Sequence, residues 1–361
     1  MKYRFIYHRW WKYLTLVILL YVFSYGFLRP LRPGVMSVSE FQLVAGGQYN
    51  IDVLTYNTFL TEGDRQISAY LKLDSVRFAQ VPYVMVADRR NINIRGIAPM
   101  LPQDQKSARV TLLIHDSVDG YLILPSAFTL SNNEENIGTQ SDLGWNDSLG
   151  VYDQEWTFRF PFIAILYETI RNTFFHVAIW MAMFILLVVA LIYSLRYLRS
   201  SDLIHDAIAA SFTHVAVLLG ILGIITGSLW AKATWGTYWT DDPKLNMSAV
   251  AMMIYVAYSI LRTSLSDTDK RAKISAAYNI FAFVAMIPLI FVIPRMADTM
   301  SLHPGNGGNP ALGGEDLDNT LRLVFYPAVI GYALLGIWMA SILFRIRRLE
   351  ILNINARLRN T

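Results

Sequence analysis

The chain of 361 residues contains six histidines and no cysteine. Thiolate metal sites, disulfides and thiol redox steps are therefore excluded, and imidazole becomes the leading candidate ligand for a transition metal. Two of the six, His176 and His303, border apolar segments whose ends lie level with the most aromatic stretch of the chain. That stretch, Gly227-Ser-Leu-Trp-Ala-Lys-Ala-Thr-Trp-Gly-Thr-Tyr-Trp-Thr-Asp-Asp-Pro-Lys-Leu245, holds three tryptophans, a tyrosine and two aspartates. Rings at this density suit a flat polyaromatic ligand, since leaving a membrane takes only one or two interfacial aromatics. Two neutral imidazoles facing each other across such a shelf are what a six-coordinate haem iron requires. The plainer alternative is that both are interfacial histidines satisfying helix ends. Zinc is a weaker rival, because two imidazoles fall short of the three or four ligands it takes.

The elements that must bring these residues together are membrane spans. Hydrophobic residues make up 54% of the chain and the mean hydropathy is +0.35, with the apolar residues gathered in blocks, which excludes an ordinary soluble enzyme. Six blocks approach the roughly 20 residues needed to cross a bilayer. They lie near Trp11 to Leu28, Phe174 to Leu195, Phe212 to Ala233, Met247 to Leu265, Ser275 to Ile293 and Leu321 to Phe344. Lys2, Arg4, Arg9 and Lys12 precede the first, Arg196 and Arg199 follow the second, and Arg262, Lys270, Arg271 and Lys273 sit between the fourth and fifth. Arg345, Arg347, Arg348, Arg357 and Arg359 follow the sixth. By the positive-inside rule both termini are cytoplasmic, against the lesser vote of Arg29 and Arg32. No small-residue cleavage site follows the first block, which reads as a retained anchor rather than a signal peptide. A net charge of +4 then reflects membrane topology and calls for no nucleic acid.

Residues 29–162 fall outside the cytoplasm and form a separate domain. Asn50 to Tyr56, Gln66 to Leu73, Ala108 to Ile114 and Gly120 to Leu124 alternate or run apolar between turn-formers, as strands of a small sandwich or open barrel do. Ser131 to Asp142 is polar and reads as a loop. The expected architecture is a mainly α membrane protein: a six-helix transmembrane bundle with an extracytoplasmic β-rich domain between its first and second helices. Its parts are a cytoplasmic N-terminus and anchor (1–28), the β domain (29–162), the remaining bundle (163–345) with external loops 230–246 and 294–320, and a basic cytoplasmic tail (346–361).

On this topology His8 and His205 are cytoplasmic surface residues, His214 is hydrogen-bonded between helices near the inner end of the third span, and His115 ends a strand. Arg171, Lys244 and Arg295 lie near the outer surface, where they could pair with carboxylates or simply reach into the headgroup layer. Asp241 and Asp242 suit a helix N-cap, with Pro243 in the first turn.

Thr226 to Leu245 resembles the tryptophan-rich "WWD" signature of the haem-handling proteins of cytochrome c maturation, specifically the CcmC branch. Arg171-Asn-Thr-Phe-Phe-His-Val resembles that branch's arginine-x4-histidine-valine segment, and Ser301-Leu-His-Pro its second external histidine. The resemblance runs from about Trp156 to the C-terminus. It implies haem b at the outer face of the cytoplasmic (inner) membrane, with His176 and His303 as axial ligands. Trp230, Trp235, Gly236, Tyr238, Trp239, Asp242, Lys244 and Arg171 would surround it. It further implies delivery to a periplasmic CcmE-like haem chaperone, assisted by a CcmAB-like ABC transporter. The pattern W-G-x-W-W-x-W-D has Tyr238 and Asp241 where two tryptophans stand, which removes aromatic area. The paired tryptophans that commonly precede the second histidine are replaced around Asp298 and Thr299. Gly236-Thr-Tyr-Trp-x-x-Asp-Pro-Lys is also similar to the CcsA branch, whose members attach haem to apocytochrome, although length and span number favour CcmC.

The reading is thus of a haem-binding and transfer protein without bond-making of its own. A CcsA-like haem lyase and a non-haem receptor or transporter are the alternatives. Transport is poorly supported, because no span carries an acidic or basic residue at mid-depth.

Overall fold

The computed structural model describes residues 9–101, 105–132, 144–146, 159–164, 166–296, 301, 303 and 317–359, the last seven as backbone alone. His8, most of the polar stretch 131–142, and much of the loop 294–320 lie outside the described residues. The chain divides into two compact units, one of residues 1–28 with 169–361 and the other of residues 29–168.

The apolar blocks of the first unit are helical because hydrocarbon offers backbone groups no partners, so each segment must bond to itself. The helices are α1 (Trp10–Leu28), α2 (His176–Ser200), α3 (Leu203–Trp235), α4 (Pro243–Ser264), α5 (Thr268–Ile287), the short α6 (Ile293–Met296) and α7 (Asn319–Arg359). A 3-10 helix, Tyr167–Phe174, leads into α2, and a π turn, Pro288–Val292, joins α5 to α6. Six helical segments are long and apolar enough to cross a membrane, so the chain is a multi-pass membrane protein. α2 packs along α3 and α7, α1 along α7, and α4 along α5.

Helix caps account for where the spans differ from expectation. α3 starts at Leu203, well before Phe212, because Asp202 caps it by accepting the Ile204 N–H at 2.9 Å. His205 therefore stands in the first turn of α3 rather than in a loop. It is half-buried, with Nδ1 2.9 Å from Ser200 Oγ and its ring 5.8 Å from Tyr193. The His214 Nδ1–H donates within its own helix, to the Ala210 carbonyl one turn back at 2.6 Å, while its ring stands edge-on to Tyr258 of α4 at 6.1 Å. α7 runs on to Arg359, so the basic segment 346–359 continues the sixth helix instead of forming a separate tail. A buried charged pair joins two of the helices: the Arg262 guanidinium, in the last turn of α4, donates two parallel bonds to Asp206 in the first turn of α3, at 2.8 and 2.6 Å. Both sit at helix ends, so mid-depth is left apolar here.

The second unit is a β sandwich. Its strands are β1 (Gly34–Val38), β2 (Gln42–Val44), β3 (Gln48–Tyr56), β4 (Ile67–Lys72), β5 (Phe78–Gln80), β6 (Tyr83–Val86), β7 (Asn91–Ile97), β8 (Ser107–Asp116) and β9 (Gly120–Ser131). They form one sheet in the order β1-β3-β7-β6 and another in the order β2-β9-β8-β4-β5. The inner faces share a core that includes Val35, Ile51, Val53, Ile92 and Ile94 from one sheet, and Leu71, Leu112, Ile114, Leu122 and Phe128 from the other. Alternation explains the placement, since Tyr49, Ile51 and Val53 of β3 are buried while Gln48, Asn50 and Asp52 are exposed. Burial pushes the Tyr49 phenol up to about 12. The strands expected at Asn50, Gln66, Ala108 and Gly120 correspond to β3, β4, β8 and β9, with β9 much longer than expected. Where the chain enters and leaves this unit, its two segments pair: Arg32 N–H donates to Phe160 O at 2.7 Å and Phe160 N–H to Pro30 O at 3.2 Å. Tyr56 donates to Glu168 and its ring stacks on Phe162 at 5.1 Å, which extends the unit beyond the expected residue 162.

Removing one member of the Asp206–Arg262 pair leaves the other charge buried and unpaired. Asp206→Ala is expected to cost about 3–5 kcal/mol of stability, and the apolar double variant Asp206→Leu/Arg262→Met to recover most of it. Thermal unfolding of the detergent-solubilised protein reads both; equal losses in the two variants would contradict a pairing role.

Candidate functional site

His176 is the first residue of α2 and is 8% exposed. Its position follows from glycines on the facing helix. A Cβ at Gly227 would lie 2.7 Å from His176 Cε1, and one at Gly223 would lie 2.8 Å from the Trp180 ring. The imidazole thus lies where α3 has no side chain. Nδ1 is 3.0 Å from the Gly223 carbonyl and 3.2 Å from Thr226 Oγ1. A carbonyl only accepts, so Nδ1 carries the proton and the neutral ring presents the Nε2 lone pair. Histidines that ligate metals are oriented in this way, with the second nitrogen donating to a backbone carbonyl. Asn172 in the preceding 3-10 helix donates to the Thr226 carbonyl at 3.1 Å and fixes the approach of the two segments.

Trp180 and Trp230 stand edge-on to the imidazole, at 6.4 and 5.8 Å between ring centres. The Trp230 indole N–H donates to Thr169 Oγ1 at 3.0 Å. The sequence reading included Trp230 but missed Trp180, one turn along α2, where i,i+4 spacing from His176 was the available signal.

The second histidine is here as well. The His303 ring centre lies 6.4 Å from that of His176, with the planes at 44°. Two imidazole nitrogens bound to opposite sides of one ion at about 2.0–2.1 Å would set the ring centres about 6–7 Å apart, so the pair fits a shared metal. Among the described residues no group of three or more His, Cys, Asp or Glu side chains could hold a metal ion.

The other expected residues divide. Asp242, 5% exposed, caps α4: its carboxylate accepts the Lys244 and Leu245 N–H groups at 2.8 and 3.3 Å. It also accepts from Ser301 Oγ at 3.0 and 2.8 Å, and Ser301 Oγ accepts the His303 N–H at 3.2 Å. Lys244 stands in the first turn of α4, next to the Asp242 cap, and Arg295 in the short α6. Trp235 ends α3, and Gly236 closes it in a left-handed conformation at φ 79 that favours glycine. Tyr238 is 57% exposed under the Lys232 ammonium, and Trp239 is 37% exposed with its indole N–H on Asn246. Arg171 donates to the Gly26 carbonyl of α1 at 2.7 Å, which places one of its nitrogens on that helix end.

A family model described as Heme exporter protein C matches residues 161–360, more than half of the chain. The protein of that name from Paracoccus denitrificans is 27% identical over 190 residues, covering 50% of this chain and 72% of that protein. Its namesake from Rhodobacter capsulatus is 25% identical over 208 residues, covering 54% and 79%. Cytochrome c biogenesis protein CcsA of Prochlorococcus marinus is 33% identical over a shorter stretch of 79 residues, covering 22% of this chain and 25% of that protein.

Alanine normally favours a helix interior over glycine by about 1 kcal/mol. At Gly227 the sign is expected to reverse, because the added methyl meets the imidazole and overpacking costs about 1–3 kcal/mol. A Gly227→Ala protein that melts above the parent would show that the histidine is not held against this backbone.

Proposed function

The chain belongs to the Heme exporter protein C family, and from that premise we propose that it binds haem b between His176 and His303 and passes it on during cytochrome c maturation. The observation that carries the reading is the 6.4 Å separation of two imidazoles from different segments, one with its Nδ1 proton on the Gly223 carbonyl. When bound, the haem would offer its iron to the two imidazoles, and the chain's residues do the rest. Trp230 and Trp180 wall the ring of His176, which orients it and excludes water. Lys244 and Arg295 supply cationic charge of the kind that holds carboxylates such as the haem propionates. Arg171 contributes through α1 and the 3-10 helix.

Transfer is ligand exchange. His176 is locked between helices and stays; His303, carried by a loop, gives way as the acceptor presents its own ligand. The acceptor is a periplasmic haem chaperone of the CcmE kind, with a CcmAB-like ABC transporter assisting. The distribution of basic residues in the sequence supports cytoplasmic termini and a periplasmic β unit. There the β unit docks a partner or shields the haem. A CcsA-like lyase is the second reading, favoured by the short match to CcsA; an apocytochrome that co-purifies in place of a haem chaperone would select it.

The absorption spectrum of the purified, haem-loaded protein tests the ligands. His176→Ala and His303→Ala are each expected to convert a six-coordinate, low-spin spectrum to a high-spin one, and unchanged spectra in both would remove the assignment. A variant lacking residues 32–154 is expected to bind haem nearly as the parent does and to transfer it poorly; normal transfer would remove the proposed role of the β unit.

A further inference from the structure

We infer that Asp242 and Ser301 are positioning residues for His303, so that the aspartate of the aromatic motif acts on the second histidine and not on the haem. This rests on His303 being an axial ligand. Asp242 is buried, and two uses of its carboxylate bear on His303. One is the cap of α4, through the Lys244 and Leu245 N–H groups at 2.8 and 3.3 Å. The other is Ser301 Oγ, which lies 3.0 and 2.8 Å from its two oxygens. Ser301 donates its one proton to the carboxylate and turns a lone pair toward the His303 N–H, 3.2 Å away. The chain of contacts therefore runs from the rigid start of a membrane helix to the backbone of the ligand itself. A loop residue gains from such a tether the fixed geometry that a ligand needs, and partners of this kind typically change metal affinity about 10–100-fold when removed.

The carboxylate is also the right group for the link. It accepts from the helix and from Ser301 together, as an ionised acid with about four lone-pair sites can. Asparagine would keep a single carbonyl oxygen for both.

The test uses the purified full-length protein titrated with haem, reading spin state and affinity for the parent, His303→Ala, Ser301→Ala, Asp242→Ser and Ser301→Thr. Asp242→Ser keeps a good N-cap while shortening the reach to Ser301; Ser301→Thr keeps the hydroxyl. The expected result is that Ser301→Ala and Asp242→Ser gain high-spin character as His303→Ala does, and lose about tenfold or more in affinity. Added imidazole should restore the low-spin spectrum in all three, and Ser301→Thr should behave as the parent. Loss that imidazole does not restore would mark a collapsed fold and overturn the inference. So would parent-like spectra and affinity in Ser301→Ala and Asp242→Ser while His303→Ala turns high-spin, a result that leaves the ligand assignment standing. A parent-like His303→Ala would instead remove the ligand assignment, and the inference with it.

Discussion

The approach of α2 to α3 at one level, where the His176 ring lies against Gly227 and its Nδ1–H meets the Gly223 carbonyl, is the constraint on which the site depends. A side chain at either glycine would push the imidazole or Trp180 away. With both absent, a single contact sets the ring's position, its tautomer and the direction of its free lone pair. The neighbouring parts follow from it: Trp180 and Trp230 stand edge-on to the imidazole, and Asn172 ties the incoming 3-10 helix to the same turn of α3.

The two histidines differ in how they are held. His176 is fixed by helix packing, the most rigid support the fold offers. His303 is fixed by hydrogen bonds through Ser301 to the cap of α4. Under the proposed function, that asymmetry would let the site hold haem from one side and release it from the other. A pair clamped equally from both sides would bind well and release slowly.

Much of this was legible in the sequence, and what was not shares a cause. The spans, the level of the two histidines and the Asp242-Pro243 cap followed from apolar blocks, charge and local capping rules. Trp230 followed from its place in the aromatic run. Tyr238 and Trp239 belong to the same run yet are exposed, because Gly236 turns the chain out of the helix before them. Ser301 and Gly227 gave no sign of their roles, since each acts across a gap of dozens of residues that no local pattern encodes. The Asp206–Arg262 pair escaped for a different reason: α3 starts earlier than its apolar block, and Asp206 lies in the extra turns. In the β unit the alternating strands were readable, whereas β7, with Asn93 buried among its isoleucines, was not.

The pairing of Arg32 with Phe160 has a consequence for how such a chain could arise. A sandwich whose first and last segments hydrogen-bond to each other begins and ends at one place, and domains with adjoining ends are those most readily spliced into a loop. The family match begins at residue 161, directly after that pairing. The β unit is thus closed by its own seam, the pairing that brings Arg32 beside Phe160.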